Sequence, residues 1–323
     1  MVLQTHLIII PDGGCMRKVI IDTDTASDDA VALIMAFMEK DFDILAVTVV
    51  AGNVPLTMAV QNALYTRELC KSEHVPVYAG SAKPILRALD TAQDVHGCDG
   101  LGDIGLPLQG RSPAEEHAVD VLIQLINQNA GEIELITLGP LTNIAIALLR
   151  EPALAEKVKR CFMMGGSGNH IGNVSPVAEY NIWADPESAR IVFDSGMPIT
   201  MVGIDANVRS AFFDQQDIKN ILAIGTEKAQ FAVNIQGTLN TFIKGLYDFN
   251  GFDLPDPLTM AVAIDPSCCK TEASAVHVLI GDGLGRGMTV IDSKGYYGEK
   301  NLVDVAGDVD RQRFLEILHQ ALR

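Results

Sequence analysis

Long apolar runs are missing from this 323-residue chain: none reaches the roughly 20 residues that a membrane-spanning helix needs. Basic residues are few, with 24 Lys and Arg against 41 Asp and Glu and a formal net charge of −17. So acidic a chain repels phosphate backbones and anionic headgroups, which argues against nucleic acid or a membrane surface as partner. The six cysteines, Cys15, Cys70, Cys98, Cys161, Cys268 and Cys269, form no C-x-x-C pair and no metal-ligand rhythm. Reduced thiols in a cytoplasmic protein are expected, with Cys161 in the core. Leu7-Ile8-Ile9-Ile10 is short, lacks a preceding basic region and is followed by Pro11-Asp12-Gly13-Gly14. It does not read as a secretory signal. Residues 1–15 are expected to be an appendage and 16–323 a single domain, since no repeat, low-complexity tract, charge block or linker divides the chain.

What is present is an alternation. Short Val- and Ile-rich runs predict strands at Val19–Asp22, Ile44–Val50, Ile133–Leu138, Cys161–Met164, Ile199–Ile204, Val276–Ile280 and Met288–Ile291. Between and around them, helical patterns cover Asp29–Glu39, Thr57–Cys70, Ala114–Gln128, Leu141–Leu149, Pro186–Asp194, Thr226–Tyr247, Pro257–Ala263 and Arg311–Leu322. Continuous apolar strands indicate a sheet buried on both faces. The expectation is an α/β fold: one domain with a Rossmann-like open, mixed, mostly parallel sheet and helices on both faces. Such sheets bind ligands beyond the carboxyl ends of their strands. There the chain carries Asp22-Thr-Asp-Thr-Ala-Ser-Asp-Asp29, Ala51-Gly52-Asn53, Gly139-Pro-Leu-Thr-Asn143 and Gly165-Gly-Ser-Gly-Asn169.

Asp22, Asp24, Asp28 and Asp29 put four carboxylates within eight residues. Packed so closely they repel one another unless a cation neutralises them, and hard oxygen ligands suit Ca²⁺ or Mg²⁺. A helix cap accounts for Asp28 or Asp29 but leaves Asp22 and Asp24 unexplained. Asp22-Thr-Asp24-Thr also fits an aspartate-nucleophile phosphatase, with Asp22 attacking phosphorus, although Asp28-Asp29 is foreign to that pattern. Asn53 and Asn173, each after a glycine, fit ordinary turns. Glu179 and Asn181 sit two apart among apolar neighbours, so an extended segment would turn both to one side. Asn143 is expected near a helix cap, and Asp185-Pro186 reads as a helix start.

Six motifs in order resemble the nucleoside hydrolase family, of the inosine-uridine preferring type. They are Asp22-Thr-Asp-x3-Asp28-Asp29-Ala, Ala51-Gly-Asn-Val54, Val95-His-Gly-x2-Gly-Leu-Gly102, Leu138-Gly-Pro-Leu-Thr-Asn-Ile144, the stretch from Met164 through Gly172-Asn173 to Glu179-Tyr-Asn181 and Asp185-Pro-Glu187, and Asp256-Pro-Leu258. The resemblance runs from Val19 to at least Leu258. It implies hydrolysis of the N-glycosidic bond of ribonucleosides, in nucleoside catabolism and base salvage, by a homodimer or homotetramer. It implies Ca²⁺ held by Asp24, Asp29, Asp256 and the Leu138 carbonyl, with Asp22 supporting the ligands. Asp28, Asn53, Asn173, Glu179, Asn181 and the Met164 main chain match positions that hold ribose hydroxyls. Asp24 is the candidate base for a cation-activated water.

One position departs from the family pattern. Where several members carry a His before the last metal Asp, this chain has Pro255, which cannot protonate the departing base. His96, Asp99 and His170 are the candidate substitutes, with a surface or loop-packing role as the alternative for His96. Three other readings remain open at this stage: the phosphatase, a hydrolase of another ribosyl compound, and a non-catalytic ribosyl-binding protein.

Overall fold

The computed structural model describes residues 16–168, 171–298 and 301–323. Residues 1–15 and His170 lie outside them. In chain order the strands are β1 (Arg17–Thr23), β2 (Phe42–Val49), β3 (Val77–Ala79), β4 (Glu134–Thr137), β5 (Arg160–Met164), β6 (Ile199–Val202), β7 (Phe212–Phe213), β8 (Phe252–Asp253), β9 (Cys269–Val278), β10 (Thr289–Asp292) and β11 (Leu302–Val309). The helices are α1 (Ser27–Met38), α2 (Leu56–Leu69), α3 (Gln93–His96), α4 (Ala118–Gln128), α5 (Thr142–Arg150), α6 (Leu154–Lys157), α7 (Tyr180–Ala184), α8 (Pro186–Phe193), α9 (Ile204–Ser210), α10 (Gln215–Leu222), α11 (Glu227–Asn234), α12 (Gly237–Tyr247), α13 (Pro255–Ile264) and α14 (Arg311–Ala321).

Nine strands form one sheet in the order β10-β9-β11-β6-β5-β4-β1-β2-β3. The strands from β3 to β11 in that order pair in parallel, and β9 runs antiparallel to both β11 and β10. The expected mixed, mostly parallel sheet in one domain is what the chain forms. Its two faces carry separate apolar clusters: Ile21, Leu33, Phe162 and Phe314 in one, Ile20, Leu122, Leu135 and Met163 in the other. The alternation of Ile20 and Ile21 between the clusters is the period-two geometry of a strand buried on both sides. After β3 the chain returns to place β4 on the other side of β1. That reversal opens a crevice at the carboxyl ends of β1 and β4.

Several sequence-based boundaries shift, each for a tertiary reason. The helix predicted over Thr226–Tyr247 is two helices, because buried Gln236 donates to the Ser27 carbonyl at 3.0 Å and Gly237 starts a new segment. The helix predicted from Ala114 begins at Ala118, since Ala114 bridges to Tyr78. The strand predicted through Ile204 stops at Val202, where Gly203 caps α9. The strand predicted over Val276–Ile280 starts earlier, at Cys269, and ends at Val278. Five free cysteines are described, Cys161 buried among them. Among the described residues no helix is long and apolar enough to cross a membrane.

Phe314 joins α14 to the core, fully buried and edge-on to Phe213 at 5.8 Å. Phe314→Ala is expected to cost about 3–5 kcal/mol through lost burial and a cavity, whereas Leu149→Ala, at a 60 % exposed position, should change stability by at most about 0.5 kcal/mol. Urea unfolding of both variants reads the difference, and equal midpoints would contradict this account of the core.

Candidate active site

At the crevice, β1 ends in Thr23 and the chain turns through Asp24, Thr25 and Ala26 into α1. Asp28 and Asp29 lie in the first turn of α1, and Asp256 in the first turn of α13, which packs against α1. Pro255 stands at the start of α13, a position where a fixed φ and a missing N–H are tolerated. Two helix N-termini therefore point their partial positive charge at one group of carboxylates. Oxygens of Asp28, Asp29 and Asp256 lie within 4.8 Å of one another, all buried.

Asp24 is buried beside them. Its Oδ2 accepts from the Asn53 N–H at 2.6 Å. Gly139 and Gly52 enclose the carboxylate from two sides: a Cβ on Gly139 would stand 2.6 Å from Oδ1, and one on Gly52 would collide with Oδ2. Asp29 accepts from Thr23 Oγ1 at 2.5 Å and from the Ala26 N–H at 2.9 Å, so it braces the helix start as well. Burial pushes the carboxyls of Asp28 and Asp29 up to about 6 and raises Asp24 and Asp256 strongly, with their mutual repulsion adding to the last two and to Asp29. Among the described residues no lysine or arginine ion pair involves any of the four. Oδ1 of Asp24 and Oδ1 of Asp28 are buried without a hydrogen-bond partner. Oxygen-only donors, like charge and unpartnered buried atoms together fit a hard divalent cation.

These carboxylates underlie a cavity of about 870 Å³. Of the residues singled out from the sequence, nine line it: Asp28, Asn53, His96, Leu138, Met164, Asn173, Glu179, Asn181 and Asp256. Asp22, Asp24 and Asp29 do not, being buried beneath the floor. Asn181 Nδ2 donates to the Leu138 carbonyl at 2.7 Å and lies 3.4 Å from the Met164 carbonyl. Glu179 is not part of an extended pair with Asn181, as the spacing suggested. It caps α7, accepting from the Asn181, Ile182 and Gly166 N–H groups, and burial pushes its carboxyl up to about 7. Exposed Asn173 holds the cavity edge by accepting from the Tyr180 N–H at 2.9 Å.

Asn143 is a second correction. It does not cap a helix; its amide donates to Asp22 Oδ2 at 2.9 Å and to the Val49 carbonyl, and accepts from the Ser81 N–H. Asp22 is thereby fixed under the site, also accepting from Thr48 Oγ1 at 2.6 Å, and burial pushes its carboxyl up to about 7. A carboxyl so tied and away from the cavity is no phosphoryl nucleophile, which removes the phosphatase reading. Asp185 is structural, as expected, capping α8 and accepting from Thr142.

His96, at the end of α3, is 9 % exposed, with Nδ1 2.9 Å from Ser27 Oγ and 3.8 Å from Asp28 Oδ1. Burial lowers its pKa to about 4, so the ring is neutral at pH 7. Asp99 accepts from the Leu101 and Asp103 N–H groups and does not line the cavity. The cavity also has an apolar wall that sequence motifs did not reveal: Phe212, Leu239, Phe242, Ile243 and Phe249, from β7, α12 and the turn before β8. Asp253 on β8 lines the cavity too and was not singled out. The one signal for it is its place three residues before Asp256.

A carboxylate-floored crevice at the switch point of a doubly wound sheet defines a small-molecule enzyme site. Residues 19–316 match the family model of the inosine-uridine preferring nucleoside hydrolases. The chain is 36 % identical over 309 residues to an inosine-uridine preferring nucleoside hydrolase of Leishmania major, covering 95 % of this chain and 97 % of that protein. It is 36 % identical to a pyrimidine-specific ribonucleoside hydrolase of a Shewanella species, covering 95 % and 96 %. Its fold superposes on a plant nucleoside hydrolase with a TM-score of 0.90 at 35 % identity, covering 95 % of this chain and 99 % of that one. The chain belongs to the inosine-uridine preferring nucleoside hydrolase family, whose members are N-ribohydrolases, glycosidases acting on ribonucleosides.

A proton and a cation compete for the same oxygens here. Because burial raises the folded-state pKa values of Asp28 and Asp29 from the ordinary 3.8 to about 6, these two groups contribute stability to the cation-free protein at low pH, and that contribution is lost as pH rises through about 6. Saturating Ca²⁺ should therefore raise Tm more at pH 7.5 than at pH 5. A shift that does not depend on pH, or no shift at all, would count against a cation at these carboxylates.

Proposed function

We propose that the chain hydrolyses ribonucleosides to ribose and free base with Ca²⁺ at the acidic floor. The observation that carries this reading is the convergence of Asp24, Asp28, Asp29 and Asp256, dehydrated and uncompensated, beneath a nucleoside-sized cavity. Asp24, Asp29, Asp256 and the Leu138 carbonyl would hold the ion, and the closeness of Asp28 to Asp29 and Asp256 supports it as a further ligand. When bound, the ion supplies a lowered pKa for water in its coordination sphere.

The chain's own residues do the rest. Asp24, steadied by the Asn53 N–H and with Oδ1 free, takes the proton of the attacking water. Asp28, Asn53 and Asn181 hold the 2′- and 3′-hydroxyls, while Glu179, Asn173 and the Met164 main chain fix the remainder of the sugar. That clamp sets C1′ against the water. Carboxylates below the ring stabilise the oxocarbenium-like transition state. The apolar wall receives the base. His96, neutral and engaged with Ser27, steadies the Asp28 side of the clamp. A homodimer or homotetramer is the assembly proposed, as the resemblance implies.

A panel of ribonucleosides assayed for reducing sugar, with and without chelator, tests the reading: base and ribose should appear, and chelation should stop both. Asp29→Ala should abolish stoichiometric Ca²⁺ by elemental analysis, and a variant that keeps it would remove Asp29 from the ligand set. A site that hydrogen-bonds a hydroxyl discriminates by up to about 10⁴-fold when it is missing. 2′-Deoxyinosine should accordingly be a poor substrate beside inosine, and equal kcat/KM for the two would contradict the clamp.

A further inference from the structure

The reaction leaves one need unmet on the page: a departing base must gain a proton, and Pro255 has none to give. Asp253 meets it by position. Phe252 before it on β8 and Leu254 after it, at the start of α13, are buried at 2 % and 1 % exposure, Phe252 stacking on Phe213 at 5.9 Å. Alternation along the strand turns Asp253 the other way, into the cavity it lines. Its antiparallel partner across the two-stranded β7–β8 ribbon is Phe212, which meets Phe249 edge-on at 5.7 Å in the apolar wall. Cross-strand partners have neighbouring side chains. Three residues later comes Asp256 of the acidic floor. Asp253 thus stands at the seam between the wall for the base and the floor for the sugar, where the glycosidic bond would lie.

Its carboxyl is also available. Among the described residues no side chain hydrogen-bonds it, whereas the nearby loop acids Asp99 and Asp103 are tied to backbone N–H groups of their own loop. Of the other cavity acids outside the floor, Asp90 and Asp94 are exposed, and the Glu179 carboxylate is taken up by the Gly166, Asn181 and Ile182 N–H groups.

We propose that Asp253 is the acid that protonates the departing nucleobase, an inference that rests on the N-ribohydrolase reading. The C1′–N bond breaks with its electron pair passing to the base. The Asp253 O–H proton moves to a base nitrogen as that negative charge develops. Water oxygen bonds to C1′ and gives up its proton to Asp24. Asp24 releases its proton to solvent, solvent returns one to Asp253, and the sum is nucleoside plus water to ribose plus neutral base. Burial, with a smaller push from the charge of Asp28, raises the Asp253 carboxyl to about 7, so a proton is present on it near neutrality. Cation binding at Asp28 would remove only the smaller of these causes.

The test uses two leaving groups. p-Nitrophenolate departs as a stable anion and needs no proton; hypoxanthine does. Asp253→Asn should lower kcat/KM for inosine by about 10²–10⁴-fold, the usual worth of a positioned acid, and leave p-nitrophenyl riboside within about threefold. Asp253→Glu should recover part of the inosine activity. An unchanged Ca²⁺-induced Tm shift in Asp253→Asn verifies a folded site. Equal losses on both substrates would assign Asp253 to binding or packing and overturn the proposal, as would no loss on either. Wild-type cleavage of p-nitrophenyl riboside with no nucleoside turnover overturns the acid alone. Release of neither product from any riboside overturns the N-ribohydrolase reading, and this inference with it.

Discussion

Mutual repulsion among buried carboxylates is the constraint on which this molecule is organised. Asp24, Asp28, Asp29 and Asp256 are taken out of water without a lysine or arginine to balance them among the described residues. Such burial is costly for each charge. The surrounding architecture reduces that cost with dipoles: the N-termini of α1 and α13, the Asn53 N–H on Asp24, and Thr23 with the Ala26 N–H on Asp29. Beneath them Asp22 is held by Thr48 and Asn143, from β2 and α5. What these dipoles leave over is negative charge that a hard divalent cation would balance.

Topology follows from the same need. Asp24 and Asp256 are far apart in sequence, and they meet because α13, whose first turn holds Asp256, packs against α1, which begins just after Asp24. Gly52 and Gly139, one after β2 and one after β4, lack side chains where the Asp24 carboxylate requires room. The two glycines that look like turn punctuation in the sequence are therefore part of the site's steric design. Their removal of bulk lets two backbone segments close on a carboxylate without displacing it.

Much of this was legible in the sequence, and the exceptions have a common cause. Continuous apolar runs such as Val19–Asp22 and Cys161–Met164 declare central strands because both faces are buried. The edge region was harder to read: β11 alternates with charged residues, and β3 has three residues, too few for a period to appear. The carboxylate group was legible because four like charges in eight residues demand an explanation. Asn143 was not, since its role depends on Asp22 and Val49, which arrive from other strands. The break at Gln236 was hidden likewise, because the bond that ends α11 reaches across to Ser27. Asp253 escaped notice for the same reason: only the pairing of β8 with β7 shows which way it faces.

The cavity joins two surfaces of different physics, and that asymmetry governs what selectivity the site can have. On one side, Asn53, Glu179, Asn181 and the acidic floor present buried polar groups, which favour a ligand that hydrogen-bonds them. On the other, Phe212, Leu239, Phe242, Ile243 and Phe249 offer aromatic and aliphatic contact. An apolar wall separates ligands that differ by a methylene by only about 1–3 kcal/mol. Directional hydrogen bonds at the polar side therefore discriminate more sharply than the apolar wall. The wall residues lie on β7, α12 and the turn before β8, outside the sheet, where substitution leaves the strands that hold the carboxylates intact. The same separation allows Pro255 to start α13 and set Asp256 in place, while Asp253 on β8 lines the cavity beside the wall.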